Sequence, residues 1–325
     1  MEQFGGYATK SQYTLLNNMN IRRLRKSCIQ RGIYTEGITK KYDLIVLFIQ
    51  WFNNIKYYQN NLIHGYVVCE KGIRKHMEDS FIINVQGNTS IYGVFDGHGG
   101  NYISSRLREY CMRYLMTEII GSKLNKRNIY NSFLNIDRQF YEIWKKNLFG
   151  TDGSTSSFVI QRKNILYFVN LGDSRTVLYG DNGTYFSTRD HKPSVASEFE
   201  RIENTKYNVI MKDVGRIGGF LAVSRSFGDY VYKLDNDDKY RPTDYAVSTV
   251  PEIDIIDINK INSKNKLIIS ATDGLWDVFS NSQVFQYIQN SKNKGLGYKS
   301  ILKNLVNLAY ERGSTDNITI VMVEL

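Results

Sequence analysis

Five segments of this sequence set an acid at the end of an apolar run or directly before one. In "SIYGVFDGHGG" the run 91–95 stops at Asp96, and Gly97, His98, Gly99 and Gly100 follow. "RKHMEDSF" has Glu78 and Asp79 side by side, and "VNLGDSR" ends in Asp173. "IISATDGLWD" ends its run at Asp273, with Gly274 next, and "GSTDNITIVMV" has Asp316 just ahead of a strongly apolar stretch. Strand ends at one edge of a sheet can meet in space although they lie far apart in the chain. Carboxylates crowded together repel, and burying unpaired charge is costly. A divalent cation removes both penalties, and ligands made only of oxygen suit Mg²⁺ or Mn²⁺ rather than Zn²⁺, which prefers His and Cys. Gly97, with no side chain, can turn its carbonyl toward an ion. Two such ions could share a bridging water and ionise it at neutral pH, giving a nucleophile for in-line attack on phosphorus. Any single Asp-Gly is more often a turn than a ligand, and a buried salt bridge would explain one or two of these acids. Five such segments in one chain weigh toward a shared site.

The elements that must position these acids are short. From about residue 62, β-branched and aromatic runs recur, among them "GYVVCEKG", "SFIINV", "SSFVIQ", "ILYFVNLGD", "TVLYG", "KLIISATDG" and "ITIVMVEL". Gly, Asn and Asp punctuate them, which is strand and turn chemistry. Helical spacing marks 101–120, 127–147, 197–204 and 298–313, and Ser197 with Glu200 matches a capping box. Hairpin-like strands with helices grouped outside them predict an α+β fold of antiparallel sheets flanked by helices. Residues 1–60 have a different texture: a basic helix over 20–32 ending at Gly32, then an apolar helix over 40–58 with Leu44, Leu47, Phe48 and Trp51 at helical spacing. They read as an N-terminal helical extension packed on a main domain of 61–325. A sharper reading is a docking or membrane-surface element, since basic and aromatic residues sit together.

Composition narrows the classes. Hydrophobic residues at 42% and charged residues at 23% describe an ordinary globular chain long enough for a large core. A net charge of +10 attracts anions without choosing among phosphoproteins, nucleic acid and acidic membranes. Cys28, Cys69 and Cys111 are scattered and odd in number, against a disulfide framework or zinc site and for a reducing compartment. The start lacks an apolar signal core and a Gly at position 2, and the apolar run 44–52 is too short to span a bilayer. A cytosolic or nuclear protein is the expectation. Nucleotide and nucleic-acid readings find little support: "GLGYKS" lacks the adjacent Gly-Lys of a phosphate loop, and no zinc finger or RNA-binding aromatic signature occurs. "DNDDKYRPTDYA" matches a calcium loop only at its start, with Tyr240 and Ala246 where Gly and Glu belong.

Taken in order, "GIRKHMEDSF", "VFDGHGG", "GSTSSFVI", "NLGDSRTVL", "RDHKPS", "GRIGGFLAVSRSFGD", "VPEI", "IISATDGLWDVFSN" and "GSTDNITIVMV" resemble the metal-dependent serine/threonine protein phosphatases, the protein phosphatase 2C-like family. The resemblance covers about 62–325. It implies a β-sandwich of two antiparallel sheets with helices outside, two Mn²⁺ or Mg²⁺ ions with room for a third, and phosphorylated proteins as substrates; a monomer is the expectation. It implies Asp96 as the bridging carboxylate, Glu78 and the Gly97 carbonyl as ligands of one ion, and Asp273 and Asp316 as ligands of the other. Asp79 is implied as the holder of metal-bound water, and Asp173 as the acid near the third ion, shared with Asp273. Arg74 matches the arginine that grips substrate phosphate, which suits a bidentate guanidinium fork. His98 matches the general acid, an imidazole able to protonate a leaving alkoxide. His76 and His191 take structural readings, Asn317 orients its loop, and Arg225 with Asp229 reads as a structural ion pair. Residues 194–216 correspond to the family's flap, but "NTKYNV" stands where a glycine pair is usual, pointing to a stiffer or differently placed flap. The rival within the same fold is a pseudophosphatase, a scaffold that should have lost its metal ligands. All five of Glu78, Asp79, Asp96, Asp273 and Asp316 are acidic here.

Overall fold

A computed structural model describes residues 17–29, 41, 45, 55–59, 64–116, 124–146, 150–210 and 215–325. Two antiparallel sheets dominate. The first runs β1 (Ile55–Gln59), β2 (His64–Glu70), β16 (Ile318–Glu324), β15 (Leu267–Ala271), β9 (Arg175–Gly180), β10 (Gly183–Ser187). The second runs β14 (Glu252–Asp257), β8 (Ile165–Leu171), β7 (Ser156–Arg162), β4 (Thr89–Phe95), β3 (Ser80–Gln86).

The strands read as nearly continuous apolar runs because both faces of each sheet are covered. Side chains alternate between faces with a period of two. Val67, Leu178, Ile268, Val321 and Val323 of the first sheet meet Tyr92, Val94, Val159 and Phe168 of the second in the core between the sheets. Their neighbours Val68, Val177, Ile269, Ile320 and Met322 point outward, under helices α6 (Asn281–Asn293) and α7 (Tyr298–Glu311). Ile91, Phe95, Phe158 and Val169 likewise pack beneath α2 (Tyr102–Tyr110), its π-helical continuation Cys111–Met116, and α3 (Lys126–Trp144). The layers are helix, sheet, sheet, helix, as expected for the α+β sandwich.

Local chemistry sets several boundaries. Asn125 caps α3 by accepting from the Asn128 amide at 2.9 Å. The capping box expected at Ser197 and Glu200 does not form: α4 (Ala196–Glu203) starts with Val195 at its cap. The early start puts Glu198 on the inner side of the first turn, where Arg201 and Arg225 hold it. The box that does form is Ser280 with Gln283, at α6, a helix the sequence reading did not place. The 40–58 helix is also corrected at its end. Lys41 and Ile45 are helical, but 55–59 is an edge strand, Lys56 opposite Val67 and Tyr57 opposite Tyr66. The open hydrogen-bonding edge of β2 overrides helical spacing there. The basic helix appears as α1 (Ile21–Ile29) with Leu24 buried, while its expected end at Gly32 lies outside the described residues. Among the described residues, no helix is long and apolar enough to cross a membrane.

Candidate active site

The acids gather because antiparallel registers bring strand starts and ends together. Ser80 pairs with Phe95, so Glu78 and Asp79, just before β3, lie beside Asp96, just after β4. Ala271 pairs with Ile320, which sets Asp273, after β15 and at the start of α5 (Asp273–Trp276), near Asp316, before β16. Asp173 sits in the turn between β8 and β9. A cleft of about 470 Å³ at this end of the sandwich is lined by Arg74, Glu78, Asp96, Gly97, His98, Asp173, Asp273 and Asp316, with Asp229, the buried Tyr230 and the exposed Phe220. Asp79 does not line the cleft; its Oδ2 accepts from the Thr272 hydroxyl at 3.0 Å.

Backbone devices hold the loops. The Asn317 side chain accepts from the Glu78 amide at 2.8 Å and donates to the carbonyls of Lys71 (2.9 Å) and His76 (3.1 Å), which staples loop 71–78 to the start of β16 and bears out its orienting role. Ser104 of α2 donates its hydroxyl to the Glu78 carbonyl. Gly97 is packed so closely that a Cβ would collide with that same carbonyl and with Ser104. His98 continues the short strand β5 (Gly97–His98), paired with β6 (Gly153–Ser154), itself paired with β13 (Phe227–Gly228). Gly153 also has no room for a side chain, since a Cβ would meet His98 and Asp229.

Electrostatics separate this cleft from an ordinary surface. Burial pushes the Asp96 carboxyl well above the usual carboxylate range, and Asp273, Asp79, Asp173 and Asp316 push it further. Asp273 is raised in the same way, by burial and then by Asp173, Asp277, Asp316 and Asp79. Burial carries Asp79 up to about 7 against hydrogen bonds from Thr319 and Thr272, and Asp173 to about 6 against Lys192. Glu78 is raised by burial although His98 and His76 oppose it. A donor set made only of carboxylates that raise one another fits a hard divalent cation, which would neutralise them together. Among the described residues, no three His, Cys, Asp or Glu side chains converge on one point as a ready coordination sphere. The fit therefore rests on the chemistry of the donors.

Arg74 lies at the mouth, half exposed. Its Nη2 donates to Asp316 Oδ2 at 2.6 Å and its Nε to the Thr315 carbonyl at 3.1 Å. Two contacts were not legible in the sequence. His98 Nε2 lies 2.7 Å from Asp229 Oδ2, which also accepts from the Ser226 hydroxyl at 2.5 Å. Burial lowers the His98 pKa, but Asp229 more than reverses this and leaves it raised. Asp229 is thus part of the site. The Arg225–Asp229 pair expected from "SRSFGD" is corrected, because Arg225 turns instead to Glu198, its Nε 3.0 Å from Oε1. The left-handed backbone of Asp229, at φ 52°, aims its carboxylate away from Arg225 and into the cleft. Second, Lys192 of "RDHKPS" reaches Asp277 Oδ1 (3.2 Å) and Asp173 Oδ2 (3.7 Å). His191 is structural as expected, buried, with Nδ1 accepting from the Gly172 amide at 3.1 Å. Beyond the α4 helix, the flap segment forms the hairpin β11 (Val209–Ile210) and β12 (Arg216–Ile217), and Arg216 and Phe220 border the cleft.

The profile of the family described as protein phosphatase 2C matches residues 63–318. Protein phosphatase 1B of Homo sapiens is 34% identical over 289 residues, which cover 81% of this chain and 57% of that protein. Probable protein phosphatase 2C 71 of Arabidopsis thaliana is 36% identical over 269 residues, 80% of this chain and 55% of that protein. The chain thus spans little more than half the length of these relatives. Among solved structures, serine-threonine phosphatase 2C from Toxoplasma gondii superposes with a TM-score of 0.68 at 22% identity, over 83% of this chain and 97% of that one. A likeness at that identity speaks for the fold.

Proposed function

The chain belongs to the protein phosphatase 2C family, and from that membership we propose that it is a metal-dependent protein phosphatase acting on phosphoserine and phosphothreonine monoesters. The observation that carries the reading is the meeting of Asp96, Asp173, Asp273 and Asp316, from both sheets, with Arg74 and His98 in one cleft. Glu78, Asp96 and the Gly97 carbonyl would hold one Mn²⁺ or Mg²⁺, and Asp96, Asp273 and Asp316 a second. Asp79 would order solvent beside them, and Asp173 with Asp273 would take a third. Bound ions of this kind supply positive charge for the phosphate and bring the ionisation of water to neutral pH.

The protein's own groups do the rest. Arg74 spends two of its donors on Asp316 and Thr315 and keeps others for phosphate oxygens. His98 Nε2 is committed to Asp229, so Nδ1 is the nitrogen left to carry a proton to the leaving alkoxide. Asp229 favours the protonated ring and holds its plane, a positioning role. Phosphoprotein substrates follow from the chemistry; we read the chain as a cytoplasmic or nuclear monomer whose catalytic domain, 61–325, takes in the edge strand β1 (Ile55–Gln59) as well, with the residues before that strand as a targeting extension.

The test is phosphate release from a phosphothreonine peptide under Mn²⁺ titration, then EDTA. Turnover that appears with Mn²⁺ and stops with EDTA is expected. Folded protein without turnover would sink the reading in favour of a scaffold.

A further inference from the structure

A second hollow, about 770 Å³, lies apart from the acid cleft, between the starts of α3 and α4 and the strand β14. Three carboxylates line it, and each is neutralised from within. Asp190 accepts from Arg175 at 2.9 and 2.6 Å. Glu198 is held by Arg201 at 2.8 Å and by Arg225 at 3.0 Å. Glu252 takes Arg189 and, at 3.3 Å, His191. Lys126 and Arg127 stand exposed on the rim with no carboxylate partner among the described residues, and the Arg189 side chain is 79% exposed. Four Lys or Arg against three carboxylates line the groove, and Arg175 and Arg201 reach in from outside the lining to answer Asp190 and Glu198, so the positive charge of Lys126 and Arg127 is left for solvent.

The groove also adjoins the acid cleft along the chain. Arg189 and Asp190 face the groove, the His191 amide donates to the Gly172 carbonyl at 2.9 Å, and Lys192 reaches Asp173. Three residues of extended chain span at most about 10 Å.

We propose that this groove docks an acidic segment of the protein whose phosphorylated residue enters the cleft. The inference rests on the phosphatase reading and goes beyond it by naming a sequence feature of the substrate. Tyr130, Pro251 and Ile253 give the segment an apolar floor, while Lys126, Arg127 and Arg189 meet its Asp, Glu or phosphorylated side chains. The gain appears in KM rather than kcat, because the contacts are the same in ground and transition states.

The test uses the full chain and phosphothreonine peptides sharing one core. Two versions carry an Asp/Glu tail on a spacer of about four residues, one on each side, long enough to bridge cleft and groove. One tail is expected to raise kcat/KM about tenfold at low ionic strength and to lose most of that gain as salt screens it. Lys126→Glu with Arg127→Glu should abolish the gain and leave turnover of p-nitrophenyl phosphate unchanged, with the double alanine variant as a milder control. No gain from either tail while the core peptide is turned over would overturn the proposal, as would a gain undiminished in the double variant. If nothing is turned over, the phosphatase reading fails on its own. Anisotropy of a labelled acidic peptide then decides the groove: binding lost in the double variant supports it, and equal binding sinks it. An RNA of equal charge that competes better than the peptide would hand the groove to nucleic acid.

Discussion

Two charged clusters of this protein are built on opposite rules. Around Lys233, every polar group is answered from inside. Its three donors go to Asp137 Oδ2 (2.8 Å), the Ser226 carbonyl (2.9 Å) and Thr249 Oγ1 (2.7 Å). Asp137 in turn accepts from the Gly228 amide, Thr249 and Tyr240. Both side chains are fully buried. In the acid cleft the excess is left standing, with carboxylates raised by burial and by one another. A closed network spends its electrostatics on holding one conformation, whereas the cleft keeps negative charge for something that arrives from solvent. The two clusters touch along one stretch of chain: the Gly228 amide donates to Asp137, and the next residue, Asp229, holds His98. The buried network therefore anchors the loop that positions the ring.

Breaking the closed cluster should cost the most. Asp137→Ala leaves the Lys233 ammonium buried and unpaired, and urea unfolding should show a loss of about 3–5 kcal/mol. Asp137→Leu with Lys233→Met should recover most of it; failure to recover would mean that the network does more than satisfy itself. The open cluster should answer in the reverse sense. Asp96→Asn and Asp273→Asn remove repulsion, so melting in EDTA should stay level or rise, while phosphatase turnover falls on the order of 10²–10³-fold. A drop in melting temperature with activity retained would make these acids structural.

Glu198 belongs to the closed type and sharpens the contrast through pH. Burial raises its carboxyl, but Arg225 and Arg201 more than reverse this and bring it from 4.5 down to about 2. The depressed value means that its stabilisation is full above pH 4.5 and is lost as pH falls toward 2. Between pH 6 and pH 3, wild type should lose about 2 kcal/mol more than Glu198→Gln in paired urea titrations. Parallel curves would remove Glu198 from the closed class. The smallest expected effect is at the junction. Asp229→Asn should slow phosphothreonine peptide about tenfold and p-nitrophenyl phosphate much less, because only the poor leaving group needs a well-oriented acid. Equal losses on both would make Asp229 a fold residue.

Much of the fold was legible because the sandwich is buried on both faces. Apolar strand runs and Gly/Asp turns are local signals, and so are acids placed at strand ends. The edge strand 55–59 was not, because its helical spacing is overruled by the free edge of β2, which no local window contains. The cap at Ser197 failed for a similar reason: burial of Glu198 between two arginines decides where α4 begins.

The sequence by itself determined the residue types that line the cleft, since an acid that ends or precedes an apolar run, an arginine and a histidine beside it are local signals. Tertiary structure alone decided the partners. Asp229 and His98 are 131 residues apart and Arg225 and Glu198 are 27 apart, and each pair met through packing. "SRSFGD" puts Arg225 and Asp229 within reach of one another, yet a left-handed backbone at φ 52° sends them to different partners. Side-chain direction is set by backbone geometry that the packed loop imposes, and local spacing carries no record of it.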